Sequence, residues 1–280
     1  MSKAMEGDVL RRPKTGIAGL WADIRFAQAY VRHNLAGALE YRVSFVSQMI
    51  GMIVNDAFWV AFWCLYFHRF PLIHGWTLRD ILTVWSIAAV GFGLSAGIFG
   101  NSNSIGGMIA RGDLDYYLAL PRNVLLHTLV SRTNASAWGD VLFGLAVYAS
   151  FVHPNLPHFA LFLVLSVMVG VVIVSFDVLT ESLAFFIGGA EGLAGQLRIG
   201  LISFATYPIT LFDGFVKVLL YTVIPAAFVS YIPVLLLRHL EVHNVLLMAG
   251  YTVGIAVVSS VVFFAGLRRY ESGNLVGLRG

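Results

Sequence analysis

Asn55, Asp56, Asp177 and Glu181 are polar residues inside segments that are otherwise strongly apolar. An ionisable side chain at membrane depth is costly and is a candidate functional group by default. With no Lys or Arg predicted at the same depth, the three acids would suit a cationic or amphipathic ligand. Hydrogen bonding between helices or a bound proton is the structural alternative. Both interpretations stay open for Asp56, whereas Glu181 lies near the end of its segment, where contact with lipid headgroups is favoured.

A second polar group forms a compact segment between two apolar runs, from Arg111 to Arg122. Gly112 is expected to end one helix, and Asp113 to cap the next, with Asp115 suiting its dipole. Pro121 would end this helix, because the residue before a proline avoids the helical region. The pattern predicts a short helix over 113–120 with an apolar side formed by Leu114, Tyr117, Leu118 and Leu120. We favour docking of a soluble protein over an anionic headgroup surface, which the two acids would disfavour.

The composition indicates that lipid is the solvent for most of the chain. Of its 280 residues, 58% are hydrophobic and only 12% are charged, against roughly 25% charged in a soluble domain. The single cysteine, Cys64, excludes a disulfide or a cysteine-based metal site within one chain. The net charge of +3 gives no argument for nucleic acid binding. The first fourteen residues hold basic residues and no apolar core, so no cleavable signal peptide is expected.

The apolar runs predict an all-α, polytopic membrane protein with six transmembrane helices. The predicted spans are 43–67, 81–100, 135–152, 159–187, 199–216 and 244–267. Most of the 18 Lys and Arg residues fall in one set of loops. The opposite set holds only Arg69, Arg79, Lys217 and Arg238. The positive-inside rule therefore places both termini and the 101–134 loop in the cytoplasm.

The stretch before the first span is predicted to be an amphipathic helix in the inner headgroup region. Its apolar stripe consists of Ile17, Leu20, Trp21, Ile24, Val31 and Leu35. A soluble N-terminal helix is the alternative. Residues 1–42 are thus assigned to a cytoplasmic N-terminus with an interfacial helix, 43–268 to the transmembrane domain, and 269–280 to a cytoplasmic tail.

Prolines interrupt the long apolar run over 199–240. A single helix of this length would be far too long for a bilayer. Two full spans would place the basic C-terminal end outside the cell. We therefore predict one span followed by an external re-entrant hairpin over 216–240, whose helices are broken at Pro225 and Pro233.

Several catalytic and metal motifs are absent or out of context. The sequence GLSAG from Gly93 to Gly97 matches a hydrolase pattern that works only on a strand–turn–helix elbow. It lies in a predicted helix, where it is interpreted as a small-residue packing face. The eight histidines form no zinc motif, so no metal site is predicted. No phosphate-binding G-x-x-x-x-G-K-[ST] loop occurs, so the chain is expected to have no ATPase of its own, and energy for active transport would come from a separate subunit. The chain itself is not expected to be catalytic.

Three pieces of the chain, in this order, resemble the type-2 ATP-binding-cassette (ABC) exporter permease family, specifically its bacterial six-span transmembrane subunits. The pieces are IARGDLDYYLALP over 109–121, IPAAFVSYIP over 224–233 and RYESGN over 269–274. The resemblance extends from about residue 16 to residue 274, and the order and spacing of the pieces make it fairly specific.

The resemblance implies an N-terminal elbow helix, a cytoplasmic coupling helix between spans two and three, and an external hairpin between spans five and six. The ATPase-coupling residues would be Arg111, Gly112, Asp113, Leu114, Asp115, Tyr117, Leu118, Pro121 and Arg122. It also implies separate ABC ATPase subunits, which bind ATP and magnesium, and a second permease chain, identical or homologous. This chain would bind no cofactor of its own.

The implied function is ATP-driven export of a small cargo across the bacterial plasma (inner) membrane, with the membrane-depth acids favouring a cationic or amphipathic one. Cargo identity stays open, because fold does not fix function. An ATP-independent transporter or channel is the alternative, although it would need no charged helix for docking a soluble protein. A membrane-embedded enzyme would need polar residues clustered at one depth, and the sequence predicts only scattered ones.

Overall fold

The computed structural model of the chain describes residues 17–120 and 122–270. These residues are almost wholly helical and include no β-strand; Ile73 and Trp76 form an isolated bridge. The α-helices, in chain order, are α1 (Ile17–Glu40), α2 (Arg42–Arg69), α3 (Leu78–Ile98), α4 (Ile105–Arg111), α5 (Leu114–Leu118), α6 (Val124–Val130), α7 (Ala137–Val147), α8 (Leu156–Glu181), α9 (Ala190–Ala205), α10 (Gly214–Thr222), α11 (Ile232–Arg238) and α12 (Val242–Leu267).

Four of the described helices are long and apolar enough to cross a membrane: α2, α3, α8 with its short extension to Phe185, and α12. A fifth candidate is the bent pair formed by α10 and the helix over Ala227–Arg238. The protein is therefore an all-helical membrane protein. The remaining predicted spans correspond to the shorter apolar helix Ala137–Val152 and to α9. The 16 residues of α9 extend roughly 24 Å, less than the ~30 Å hydrocarbon core.

The predicted boundaries of the fifth span are wrong. Its helix, α9, begins at Ala190 and ends at Ala205, whereas the hydropathy pattern predicts 199–216. Gly189 precedes α9 with a positive φ of 74°, which a glycine adopts without strain. Polar residues in the first half of α9 lower its hydropathy, so the apolar run starts too late to show where the helix begins.

The predicted hairpin region contains the expected sharp bend, although one proline has a different role. The axes of α10 and the Ala227–Arg238 helix differ by 72°. Pro225 lies in the break between them, as expected. Pro233 does not break a helix, because it lies where a π-helical turn over Ala227–Tyr231 passes directly into α11. Arg238 anchors this region to α3 through two bonds to the Asp80 carboxylate, with its Nε 2.6 Å from Oδ1.

Close helix packing centres on α3, as the small-residue pattern predicts. A Cβ added to Gly93 would lie 2.7 Å from the carbonyl oxygen of Ala137 in α7. Gly97 faces the indole ring of Trp138 in the same helix. On its other side α3 packs against α8, and the shared apolar core includes Val90 and Val169. These contacts place α3 at the centre of the bundle, between α7 and α8.

Helix α1 packs along α6 through polar and aromatic side chains. Asn34 donates hydrogen bonds of 3.2 Å to the carbonyl oxygen of Val130 and to the Thr133 hydroxyl. Trp21 and Ile24, two members of the predicted stripe, are exposed. The helix therefore has a polar and aromatic face toward the protein, and an apolar edge that is left uncovered.

Candidate functional site

The segment from Asn101 to Ser131, hereafter the 101–131 segment, contains α4, α5 and α6 and folds against the end of α8. Two acids one helical turn apart on α8 hold its beginning. The Ser102 hydroxyl donates a 2.8 Å hydrogen bond to Oδ2 of Asp177. The backbone N–H of Gly106 donates a 2.7 Å hydrogen bond to Oε2 of Glu181. Both carboxylates are buried, so these bonds form in a water-poor environment, where they are strong.

Asp177 also forms an ion pair with Arg198 of α9. The expectation that the membrane-depth acids lack a basic partner is therefore wrong for Asp177. The predicted fifth span starts at residue 199 and leaves Arg198 in the preceding loop. The helix α9 in fact begins at Ala190 and therefore includes Arg198. The headgroup interpretation of Glu181 is also wrong, since its side chain is buried against Gly106. Together, Asp177 and Glu181 join the 101–131 segment to α8 and α9.

The short helix α5 is shorter than predicted and has different internal contacts. Gly112 ends α4 with a left-handed φ of 79°, as expected. Asp113 makes no side-chain cap bond and instead pairs with Arg111, whose Nε lies 2.9 Å from Oδ2. Because this ion pair engages the carboxylate, the predicted capping role is wrong. Pro121, predicted to end the helix, lies outside the described residues.

The apolar side predicted for α5 divides between the interior and the surface. Leu114 is fully buried in an apolar cluster with Val174 and Val178 of α8 and Phe263 of α12. Leu118 is 44% exposed, and Tyr117 and Leu120 are half-buried. A helix of five residues is too short for a period of 3.6 residues to define one face. The sequence pattern therefore assigned Leu118 to the wrong side of α5.

The outer surface of this region combines charged and apolar groups. Its exposed members are Arg111, Asp113, Tyr116, Leu118 and Arg122. The Arg122 guanidinium lies 5.1 Å from the ring centroid of Phe26 in α1. This surface, defined by those five residues, is hereafter the α5 surface.

His127 lies where α1, α5 and α6 meet. Its Nε2 is 2.5 Å from the Tyr30 hydroxyl, and its ring packs edge-on against Phe26 and Tyr117. Burial lowers the pKa of His127, and the positive charge of Arg122 lowers it further. A neutral imidazole at this junction packs among aromatic rings without bringing in a charge.

Tyr270, the last described residue, lies beside α5. Burial raises the pKa of its phenol to about 12, and the neighbouring Asp115 carboxylate contributes to this rise. The phenol therefore stays protonated at neutral pH and can act as a donor toward Asp115. Tyr270 also packs against the apolar cluster that contains Leu114, and this packing connects the end of α12 to the 101–131 segment.

A separate cavity of about 430 Å³ lies between α2, α3, α7 and α9. Asn55 and Asp56 line it, as does Asp140 of α7. The carboxyl groups of Asp56 and Asp140 are close enough to hydrogen-bond if one carries a proton. Asp177 and Glu181 do not line this cavity. The structure thus separates the predicted cargo-contact residues into two sites.

Sequence reasoning missed Asp140 and Arg198. Asp140 lies six residues into the predicted third span, so the argument from membrane depth could have selected it. The argument from membrane depth could not select Arg198, because it lies within a helix only if α9 begins before residue 198. Among the described residues, no group of three or more His, Cys, Asp or Glu side chains could hold a metal ion.

The fold and these two sites define a multi-pass helical membrane protein in which a polar segment outside the spans is attached to the bundle by buried acids. A family model described as ABC-2 family transporter protein matches residues 53–274. The chain therefore belongs to this family, whose members are membrane permease components of ABC transporters. No curated protein and no solved structure matches the chain.

Proposed function

We propose that the protein is the permease subunit of an ATP-driven ABC exporter in the bacterial inner membrane. The observation that carries this proposal is the attachment of the 101–131 segment. Its inner side is joined to α8 and α9 by the buried Asp177 and Glu181, while its α5 surface is uncovered. A soluble ATPase subunit that binds this surface would therefore act directly on two membrane helices.

Movement of the ATPase subunit would reach this chain first at the α5 surface. Tyr116 is 64% exposed and Leu118 is 44% exposed, and aromatic anchors of this kind carry much of the energy of protein interfaces. Arg111 and Asp113 add a charged pair beside them. We assign the coupling role to these residues together with Gly112, Leu114, Asp115, Tyr117, Pro121 and Arg122.

Movement of α5 reaches the bundle through packing and hydrogen bonds. Leu114 is 0% exposed and fills the cluster between α8 and α12, so α5 cannot shift without moving those helices. The Gly106–Glu181 and Ser102–Asp177 bonds join the start of the segment to α8, and Arg198 extends this connection to α9. Opening of the permease by this route needs two stable arrangements of the interface.

The proposed orientation places the 101–131 segment and both termini in the cytoplasm, with the bent α10–α11 region as an external hairpin. Helix α1 acts as the elbow helix, with Trp21 and Ile24 toward lipid. Only 22% of the apolar windows of α2 and α12 is buried. Lipid and a second permease chain, identical or homologous, would cover this apolar surface.

In this proposal the chain itself is not catalytic. ATP and magnesium bind to separate ABC ATPase subunits, and the energy of nucleotide binding reaches this chain through the α5 surface. The cargo is small, and the acids at membrane depth favour a cationic or amphipathic one. An ATP-independent transporter would have no use for an α5 surface that docks a soluble protein.

The test is a mild-detergent purification of the full chain from its native membrane, with mass spectrometry of the proteins that co-purify. We expect a stoichiometric soluble protein with a phosphate-binding loop. The double variant Tyr116→Ala, Leu118→Ser should lose it, because both side chains are exposed and their removal leaves the core intact. Leu114 is unsuitable for this test, since its replacement would open a core cavity.

Leu240→Ser serves as the matched control, because this exposed leucine lies at the opposite end of the bundle. The control should retain the ATPase. Retention of the ATPase by the Tyr116 and Leu118 double variant would overturn the coupling role. Purification of the wild-type chain without an ATPase, under conditions that preserve other ABC complexes, would favour the ATP-independent alternative.

A further inference from the structure

The cavity between α2, α3, α7 and α9 has the size and lining of a ligand site. Its volume of about 430 Å³ lies within the ~300–1,000 Å³ range of small-molecule pockets. Apolar and aromatic side chains form most of its wall, including Trp59, Trp85 and Phe92. The polar groups are few and are concentrated around Asp56 and Asp140.

The carboxyl pair is buried and incompletely bonded. Asp56 is 5% exposed and Asp140 is 8% exposed, and each has one buried carboxyl oxygen that receives no hydrogen bond from the described residues. Asn55 makes only a long 3.4 Å contact with the other oxygen of Asp56. Two acceptors facing each other need a positive charge or a donor between them, supplied by a shared proton or by a bound cation.

The described residues that line the cavity supply no free cation for this pair. Arg198 lines the same cavity, but its guanidinium is paired with Asp177. Among the described residues, no third carboxylate, histidine or cysteine joins the pair to complete a metal site. The unmet negative charge is therefore suited to one positive group that needs few ligands.

An aromatic wall lies beside this charge. Trp59 and Trp85 stack at 5.8 Å between ring centroids, with an angle of 20° between their planes. Trp85 is 8% exposed, and its indole N–H has no hydrogen-bond partner among the described residues. Aromatic faces attract cations and apolar ring systems, and the free N–H can bind an acceptor atom on a ligand.

We propose that this cavity binds a monovalent organic cation with an aromatic or otherwise apolar body. The cationic group lies against the Asp56–Asp140 pair, and the apolar body lies against Trp59 and Trp85. This inference rests on the proposed transport function, of which it names the substrate class and the binding residues. Asp140, Trp59 and Trp85 become cargo-binding residues alongside Asp56.

The test compares two probes of the same shape and opposite charge, tetraphenylphosphonium and tetraphenylborate. Binding of each is measured to the full chain, purified with its co-purifying subunits, in phosphatidylcholine nanodiscs; empty nanodiscs correct for partition into lipid. We expect saturable binding of the phosphonium only. Asp56→Asn with Asp140→Asn should weaken it at least about tenfold, because a charged partner is removed from a desolvated site.

Additional variants separate the contribution of each group. Trp59→Leu should weaken phosphonium binding by roughly threefold to thirtyfold, the range between an exposed and a desolvated cation–π contact. Asp213→Asn, which removes an exposed acid that does not line the cavity, should leave binding unchanged. Size-exclusion profiles identify any variant that fails to fold, and the single Asp56→Asn and Trp59→Leu variants then decide the outcome.

The outcome of this binding test can be told apart from the outcome of the ATPase co-purification test. Unchanged phosphonium binding in the folded acid variants would overturn the cation site, as would equal binding of the borate or no binding above empty nanodiscs. The presence of the ATPase in the same preparation is scored separately. Cation binding without any ATPase would support the site and count against ATP-driven export.

Discussion

Glu181 accepts a 2.7 Å hydrogen bond from the backbone N–H of Gly106, although 75 residues separate them in the chain. A Cβ added to Gly106 would lie 2.6 Å from the same carboxylate oxygen. A larger residue at position 106 would therefore force the Glu181 side chain to shift away from this contact. This contact attaches the polar segment outside the spans to a helix that crosses the membrane.

Replacement of Glu181 tests the importance of this attachment. Glu181→Ala leaves the Gly106 N–H buried without an acceptor, which should cost about 1–3 kcal/mol of stability. Glu181→Gln retains an amide oxygen as acceptor and should cost less. Thermal unfolding in detergent measures both changes, and Glu40→Ala, at an exposed acid, is the control. Equal stability of the Ala and Gln variants would contradict the assigned role of the bond.

The ion pair between Asp177 and Arg198 predicts a non-additive pair of substitutions. Arg198→Gln leaves Asp177 as an uncompensated buried charge and should destabilise the protein by about 3–5 kcal/mol. Adding Asp177→Asn removes that charge and retains an acceptor for the Ser102 hydroxyl, so much of the stability should return. A double-mutant cycle measures the coupling. Additive losses would show that the two charges do not stabilise each other.

The environment of His127 predicts a dependence of stability on pH. Its pKa is lowered in the folded state by burial and by Arg122, so the unfolded chain binds the proton more tightly. The stabilising effect of the neutral ring is therefore present above the ordinary histidine pKa of about 6.5 and is lost as pH falls below it.

The measurement is the unfolding midpoint between pH 7.5 and pH 5.5. We expect His127→Asn to reduce the decrease in midpoint seen in the wild type, because the variant has no imidazole to protonate. His33→Asn, at an exposed histidine of α1, should retain the full decrease. An identical pH profile for the wild type and His127→Asn would exclude this histidine as the source.

Close packing of α3 against α7 predicts intolerance to a single methyl group. Gly93→Ala would place a Cβ 2.6 Å from Cγ2 of Val141 and 2.7 Å from the Ala137 carbonyl oxygen. The helices must separate to accommodate it, at a cost of about 1–3 kcal/mol. Gly254→Ala in α12 meets no atom within 4 Å and should be neutral or slightly stabilising. Thermal unfolding of the two variants compares these effects, and equal midpoints would contradict the packing.

Local features of the chain could be predicted because local physics decides them. Apolar composition identified a membrane protein, since no other solvent suits so many apolar side chains. Gly112 marked the end of α4 because a left-handed residue there strongly favours glycine. The small residues Gly93 and Gly97 marked a packing face of α3 for a similar steric reason. In each case, the determining contacts lie within a few residues or depend only on residue size.

The partners of the buried polar residues depended on the tertiary structure. Asp56 and Asp140 lie on α2 and α7, and they meet because those helices pack with particular rotations. The pairing of Asp177 with Arg198 depends on α9 beginning at Ala190, which hydropathy did not show. A hydropathy pattern reports how apolar a segment is, but not how its helix is rotated against its neighbours. The sequence by itself therefore determined the solvent and the main helices, and only the packed bundle decided which charges meet.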